Sequence, residues 1–478
     1  MAKSGTTYAG SPELLVELRR GNGRPLRAQL EDGLREAARS GVLEAGARLP
    51  ATRALAGDLG VSRRLVVDAY AQLLAEGYLT ARPGAGTYVS DAASAASAPT
   101  RAHAPKPLAF DFFPGYPDLA AFPRRAWMRA LRETLASTPA ASLGYPDAHG
   151  APELRLALAE HLRRVRGVVA DPQRIVVCSG TAQALVLLAR ALGGPHLAVE
   201  DPGLPPHRLI LAEHGARLSP LPVDADGARV GELPRIAAAS GSIAGVLVTP
   251  AHQSPTGVAM APARRAALLE WAAAGSGYVI EDDYDAEYRY DRSPLAALQG
   301  LAPDKVIYLG TVSKTLAPAL RLGWLVLPPA LVDAVAQQRS IVDHGAPTID
   351  QLALARLISG GAYDRHLRVA RRSYRARRDA LVAAVRRHLP GARVTGLAAG
   401  LHAIVRLARD FDAPALMRAA VERSLAVYPL SFAYMRPPAR DDALVLGYAN
   451  LSEQRIQRGV RVLAQSLADV ADSGPQDG

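Results

Sequence analysis

Cysteine is almost missing from this chain. Cys178 is the only one in 478 residues, which excludes an intrachain disulfide framework and a structural zinc site built on cysteines, and suits a reducing compartment. Cys178 itself reads as a small buried hydrophobe. No run of about 18 apolar residues is available to cross a bilayer, and the N-terminus has no apolar signal core. Those absences make the cytoplasm the expected location, with no membrane partner. Long charged or Gln-rich tracts and internal repeats are lacking too, so globular domains are expected throughout.

What is present is length and positive charge. A chain of 478 residues exceeds what one core usually organises, so two or more domains are expected, one of them large. The net charge of +11 and pI near 9.9 favour a polyanionic partner, although a genome rich in Arg and Ala would give the same excess. Between residues 91 and 107 the sequence turns to Ala, Ser, Pro and His (DAASAASAPTRAHAPKP), too polar and too interrupted by proline for a regular element. The expected organisation is therefore a small domain over 1–90, a flexible linker over 91–107, a large domain over 108–471 and a disordered tail over 472–478.

In the small domain, helical apolar spacing runs from Arg27 to Ser40, from Ala51 to Leu59 and from Arg63 to Glu76. Gly60 ends one helix and Ser62 can cap the next. Val66, Tyr70, Leu73 and Leu74 fall on one face for a core, leaving Arg63, Arg64 and Asp68 outward. Tyr78 to Val89 alternates around Pro83-Gly84-Ala85-Gly86, which predicts a hairpin wing and completes a winged helix-turn-helix. A recognition helix of that kind enters the major groove by its N-terminal end, bringing Ser62, Arg63 and Arg64 to phosphates and base edges. Arg48 and Arg53 flank the preceding helix as phosphate clamps, and Arg82 on the wing reaches toward the minor groove. The run RLPATRALAGDLGVSRRLVVDAYAQLLAEGYLTARPGAGTYV resembles the GntR family of winged-helix regulators, which implies a double-stranded DNA operator as partner.

In the large domain, short β-branched runs alternate with Ala/Leu/Arg-rich helices: Ile175 to Cys178, His196 to Val199, Gly245 to Thr249, Tyr278 to Glu281, Val306 to Leu309 and Gly323 to Leu327. The alternation predicts an α/β sheet of mostly parallel strands with ligands at their carboxyl ends. Lys314, just past one strand, has Ser313 beside it and Arg321 seven positions on, an arrangement suited to capture of an aldehyde cofactor, pyridoxal 5'-phosphate. Lys314 would supply the amine, and Ser313, Thr311 and Arg321 the phosphate contacts. Residues two apart on a strand share a face, so Asp282 can pair with the pyridinium nitrogen while Tyr284 donates to the phenolic oxygen. Two other readings of this acidic stretch stand beside it: a solvated loop, or a cation site built from Asp282, Asp283 and Asp285. Ser179, Gly180 and Thr181 form a small-residue turn opening a helix, where backbone amides approach a phosphate.

Together these residues resemble the fold-type I aminotransferases from about Phe110 to Leu467. The resemblance implies that Tyr145 is lent to the phosphate site of a partner subunit, hence a homodimer, and that Ser254 in His252-Gln253-Ser254-Pro255-Thr256-Gly257 takes the place of an asparagine touching the cofactor. A GntR-type head joined to this body is similar to the MocR/GabR/PdxR family of regulators. That likeness implies a non-enzymatic role, a transcription factor that senses pyridoxal phosphate itself or an amino compound and controls vitamin B6 synthesis or amino-compound metabolism. The alternatives are an active aminotransferase with an appended head, and a repressor whose body is only a dimerisation scaffold. Two departures stand out. The stretch Leu444 to Asn450 lacks the arginine that fixes a substrate carboxylate in aminotransferases, with Arg208, Arg406 and Arg436 as spatial substitutes; and Leu204 stands where an aromatic would stack on the pyridine ring, which predicts weaker, reversible cofactor binding.

Overall fold

The computed structural model describes residues 18–21, 23–91, 108–275, 277–290, 295–438 and 441–472. Most of the expected linker (92–107) and tail (473–478) lies outside the described residues. The chain divides into two compact units, Met1–Lys106 and Pro107–Gly478.

The first unit contains helices α1 (Leu26–Arg39), α2 (Thr52–Asp58) and α3 (Arg63–Ala75), then strands β1 (Leu79–Arg82) and β2 (Gly86–Val89). Leu30, Leu34, Leu55, Val66, Tyr70 and Leu73 converge on one apolar cluster, because their three- and four-residue spacing puts them on inward helix faces. Leu74 is only partly buried at its edge. The Ser62 side chain accepts from the Leu65 amide at 3.3 Å and so starts α3, as expected of a cap. β1 and β2 pair antiparallel, Leu79 opposite Val89 and Arg82 opposite Gly86. This is the winged helix-turn-helix.

The second unit opens with β3 (Phe110–Asp111), α4 (Arg124–Ser137) and α5 (Pro152–Arg166). Its large sheet is built from β4 (Ile175–Cys178), β5 (His196–Asp201), β6 (Arg217–Asp224), β7 (Gly227–Ala228), β8 (Gly245–Val248), β9 (Tyr278–Asp282), β10 (Val306–Thr311) and β11 (Gly323–Val326). Helices α6 (Thr181–Ala191), α7 (Pro205–Glu213), α8 (Leu233–Ser240) and α9 (Pro262–Ala274) lie between them in sequence. After the sheet come α10 (Pro329–Asp343), α11 (Thr348–Ser359), α12 (Ala362–His388), β12 (Arg393–Thr395), β13 (His402–Phe411), α13 (Ala413–Glu422), β14 (Leu425–Ala426), β15 (Asp441–Gly447) and α14 (Glu453–Asp472).

Strand order in the large sheet is β4-β11-β10-β9-β8-β5-β6-β7. The pairs from β10 through β6 are parallel, while β11 runs antiparallel to both neighbours and β7 to β6. All six expected strands are present, β4 with the expected bounds and the other five with C-terminal ends displaced by one or two residues. The sheet is covered on both faces: Ile175 and Val177 enter one apolar cluster, Val176 and Cys178 another, the two-residue period of a strand. Cys178 is wholly buried. β6 was not expected from the sequence: Pro220 and Pro222 interrupt its pattern, yet it pairs in parallel with β5 over six residues. A second sheet, β12-β13-β15, is antiparallel. Among the described residues no helix is long and apolar enough to cross a membrane.

Candidate functional site

The carboxyl ends of β4, β5, β8 and β9 and the segment after β10 form one edge of the large sheet, and the residues singled out in the sequence gather there. Asp282, the last residue of β9, is 2% exposed. Both its carboxylate oxygens lack a hydrogen-bond partner among the described residues. Burial raises its pKa to about 8, with Asp283 pushing the same way and Lys314 opposing. A buried acid in that state gains from a cationic N–H donor. His207 of α7, which sequence reasoning missed, places Nδ1 3.6 Å from Asp282 Oδ2. Burial and then Lys314 depress its pKa to about 4, so it meets Asp282 as a neutral ring.

Lys314 is enclosed by the segment after β3. A Cβ on Gly115 would stand 3.4 Å from Lys314 Nζ, and Gly115 has φ +73°; both the space and the backbone angle favour glycine there. Burial lowers the Lys314 pKa, against the pull of Asp285 and Asp282. The amine is thereby biased toward the free base that attacks a carbonyl.

Three features bear on the phosphate site expected from the sequence. Arg321, with φ 50°, donates to the Ser179 carbonyl oxygen and lies against Gly180, the residue capping α6. The first amides of α6, beginning at Thr181, have no partners inside the helix and favour a phosphate. Ser313 is oriented by Thr311, whose Oγ1 accepts the Ser313 amide at 3.1 Å and lies 3.0 Å from the Ser313 hydroxyl and 3.2 Å from the Leu322 oxygen. Thr311 thus spends its hydroxyl inside the loop and positions Ser313.

Tyr284 is buried with its hydroxyl 3.1 Å from His252 Nδ1. Ser254 lines a cavity with Leu204, His207, Arg208 and Asp282. Two of the three carboxylates of the cation-site reading turn to other partners: Asp283 bonds Arg166 and Tyr308, at 2.6 Å each from one oxygen, and Asp285 bonds His252 at 3.0 Å. Tyr145 does not join this cluster within its own chain. It is 92% exposed, its ring 5.8 Å from that of His344.

Of the candidate carboxylate arginines, Arg208 alone lines the cavity, held by the Ala433 oxygen at 2.8 Å. Arg406 is paired with Asp442 at 2.6 Å, and Arg436 is exposed. The Leu444–Asn450 stretch covers the end of β15; the Tyr448 hydroxyl donates to the Gly400 oxygen and the Asn450 Nδ2 to the Asp111 oxygen, while the buried Asn450 Oδ1 has no partner among the described residues.

In the first unit, Arg63 and Arg64 are exposed at the start of α3 beside the cap Ser62, and Arg53 is exposed on α2. The Arg48 guanidinium lies against the wing, Nε 3.1 Å from where a Gly86 Cβ would stand. Arg82 stacks on the Tyr88 ring at 4.5 Å. Several other cations of the unit are paired with carboxylates: Arg24 with Asp32, Arg27 with Glu31, and Arg35 with Asp32 and Glu76. Among the described residues Arg48, Arg53, Arg63 and Arg82 have no carboxylate partner, leaving one basic set over α2, the start of α3 and the wing.

Residues 115–463 match the family described as aminotransferase class I and II, and residues 26–89 the bacterial regulatory proteins of the gntR family. The chain is 36% identical to the probable rhizopine catabolism regulatory protein MocR of Rhizobium meliloti, covering 94% of this chain and 95% of that one. It is 34% identical to the HTH-type pyridoxine biosynthesis transcriptional regulator PdxR of Corynebacterium glutamicum, covering 93% and 95%. Among solved structures, the kynurenine aminotransferase of Pyrococcus horikoshii superposes with a TM-score of 0.71 at 27% identity, over 76% of this chain and 92% of that one.

Proposed function

This chain belongs to the GntR-type transcriptional regulators that carry an aminotransferase class I and II body, and from that premise we propose that it couples pyridoxal 5'-phosphate at Lys314 to operator binding by its winged helix. The observation that carries the reading is Asp282: a buried carboxylate with both oxygens unpartnered, whose ionised form is disfavoured by burial and favoured by Lys314. A pyridinium N–H would satisfy it.

When bound, the cofactor supplies an aldehyde for the lysine amine and an electron-withdrawing ring. The chain's own residues divide the rest. Arg321, Ser313, Ser179, Gly180 and Thr181 hold the phosphate, Thr311 orients Ser313, and Tyr284 and Ser254 face the phenolic oxygen. His207 packs beside Asp282 and keeps it in place. Tyr145, projecting from the surface, reaches the phosphate site of a second subunit in a homodimer. Arg48, Arg53, Ser62, Arg63, Arg64 and Arg82 meet the duplex, two heads reading two half-sites in the cytoplasm. Cofactor, or an amino compound reacting with it, shifts the DNA-competent population by binding one arrangement more tightly. The relatives named for rhizopine catabolism and pyridoxine biosynthesis support amino-compound or vitamin B6 genes as targets.

An active aminotransferase is the second reading, supported by the structural neighbours and opposed by the lack of an arginine in Leu444–Asn450. The test is an absorbance titration with pyridoxal phosphate alongside operator binding. Lys314→Ala is expected to abolish the cofactor band and the ligand response while operator affinity stays within about threefold; Arg63→Ala is expected to cost about 1–3 kcal/mol of operator affinity with the band intact. Steady turnover of an amino donor and a 2-oxo acid would favour the enzyme instead, and no band in the unaltered protein would leave a scaffold.

A further inference from the structure

Behind Tyr284 lies a buried pair with no task so far. The side chains of His252 and Asp285 are each 1% exposed. His252 Nδ1 stands 3.0 Å from Asp285 Oδ2 and 3.1 Å from the Tyr284 oxygen. An ionised carboxylate only accepts, so the hydrogen in the first contact belongs to His252. Burial disfavours charge on this ring, but Asp285 outweighs it and holds the His252 pKa above its ordinary value.

Asp285 also hydrogen-bonds the Tyr284 side chain and raises its pKa, so the carboxylate is a competing acceptor for the Tyr284 hydrogen. His252 stands between the two and claims the carboxylate. Nδ1 has a single hydrogen, directed at both the Asp285 carboxylate and the Tyr284 oxygen; a carboxylate occupied in this way competes less for the Tyr284 hydrogen, which then turns toward the pocket.

The pair is boxed in. Gly400, at φ +83°, packs so closely that a Cβ would lie 2.5 Å from His252 Nδ1 and 2.6 Å from Asp285 Oδ2. Its carbonyl oxygen accepts from the hydroxyls of both Tyr290, at 2.5 Å, and Tyr448, at 2.9 Å. Gly257 closes the far side, 3.1 Å from Nε2 by the same measure. Other charged or titratable groups facing the pair include His402, its ring 5.3 Å from that of His252, then Arg289, Lys314, Asp282 and Glu287. Burial, then His252, depresses the His402 pKa to about 4, so His402 is a neutral neighbour.

We infer that His252 and Asp285 are a positioning pair: by holding the Asp285 carboxylate, His252 directs the Tyr284 hydrogen to the phenolic oxygen of the bound cofactor. The inference rests on the cofactor reading above. It deepens that reading by making the strength of the Tyr284 bond depend on a residue that never touches the cofactor.

The experiment measures two quantities in the full-length protein, the dissociation constant of pyridoxal phosphate and the pH midpoint of the bound cofactor's absorbance band. Tyr284→Phe is expected to weaken binding roughly tenfold, what one hydrogen bond to a charged oxygen contributes, and to raise the midpoint, because the phenolic oxygen loses a donor that stabilises its anion. His252→Phe and His252→Gln should each move both quantities the same way. Neither should add to Tyr284→Phe in the double variant, since the hydroxyl they steer is gone. Asp285→Asn should partly rescue His252→Phe by removing the competing anion. Either His252 variant suffices if the other fails to fold. Unchanged affinity and midpoint, or an effect that persists undiminished on the Tyr284→Phe background, would overturn the inference while leaving the cofactor reading intact. No band in the unaltered protein would overturn both.

Discussion

A carboxylate buried with neither oxygen bonded resists ionisation, and Asp282 sits that way at the end of β9. Its folded pKa of about 8 stands above its ordinary value of 3.8. The neutral acid therefore contributes its full stability below about pH 4, and that stability is lost as the pH rises toward 8. Asp282→Asn removes the dependence. Thermal melts of cofactor-free protein should show the variant gaining on the unaltered chain between about pH 4 and about pH 8, and losing the stabilisation that pyridoxal phosphate otherwise gives; a difference that does not vary with pH would be incompatible with this assignment. Asp282, Tyr284 and Lys314 were legible because each carries a local pattern: an apolar strand running into carboxylates, or a lysine followed by serine-flanked small residues. His207 was not. A single histidine on a short helix has no signature, and its closeness to Asp282 arises from the return of α7 against a strand 75 positions later in the sequence.

Elements were readable where side-chain period and punctuation agree. β4 and β10 are uninterrupted apolar runs because both faces are covered, and both were expected. β6 breaks that signal with two prolines, and only its parallel pairing with β5 makes it a strand, a tertiary effect that no local window contains. The start of α3 tests how one residue serves two levels, since Ser62 caps the helix and also stands with Arg63 and Arg64 at the end expected to meet DNA. Ser62→Ala should cost about 1 kcal/mol of stability in the first unit. Ser62→Asp should keep the cap yet weaken operator binding through repulsion with phosphates. Chemical denaturation of the full chain and an operator titration separate the two effects. If Ser62→Asp bound the operator as well as the unaltered protein, the placing of this helix end against DNA would fail.

On the scale of the whole molecule, the two compact units were visible in the sequence from a change of composition near residue 91. What the sequence left open was which residues of the second unit serve a neighbouring copy. Tyr145 gives the sharpest handle on that, being 92% exposed and apart from the Lys314 cluster of its own chain. If it completes a partner's phosphate site, Tyr145→Phe should weaken cofactor binding without altering the melting of the chain. Co-expressing Tyr145→Phe chains with Lys314→Ala chains should then restore one intact site in each mixed dimer. Binding in the mixed population no tighter than in Tyr145→Phe alone would rule out a shared site.

The loop between β10 and β11 carries Lys314 near its start and Arg321 near its end. A cofactor captured by its aldehyde at the first and by its phosphate at the second is a clasp across one loop. On the cofactor reading proposed above, its arrival would draw together a short stretch of backbone whose far end, through Arg321 and the Ser179 oxygen, is buttoned to the start of α6. On that reading a regulator built in this way would learn of its ligand from within a single loop.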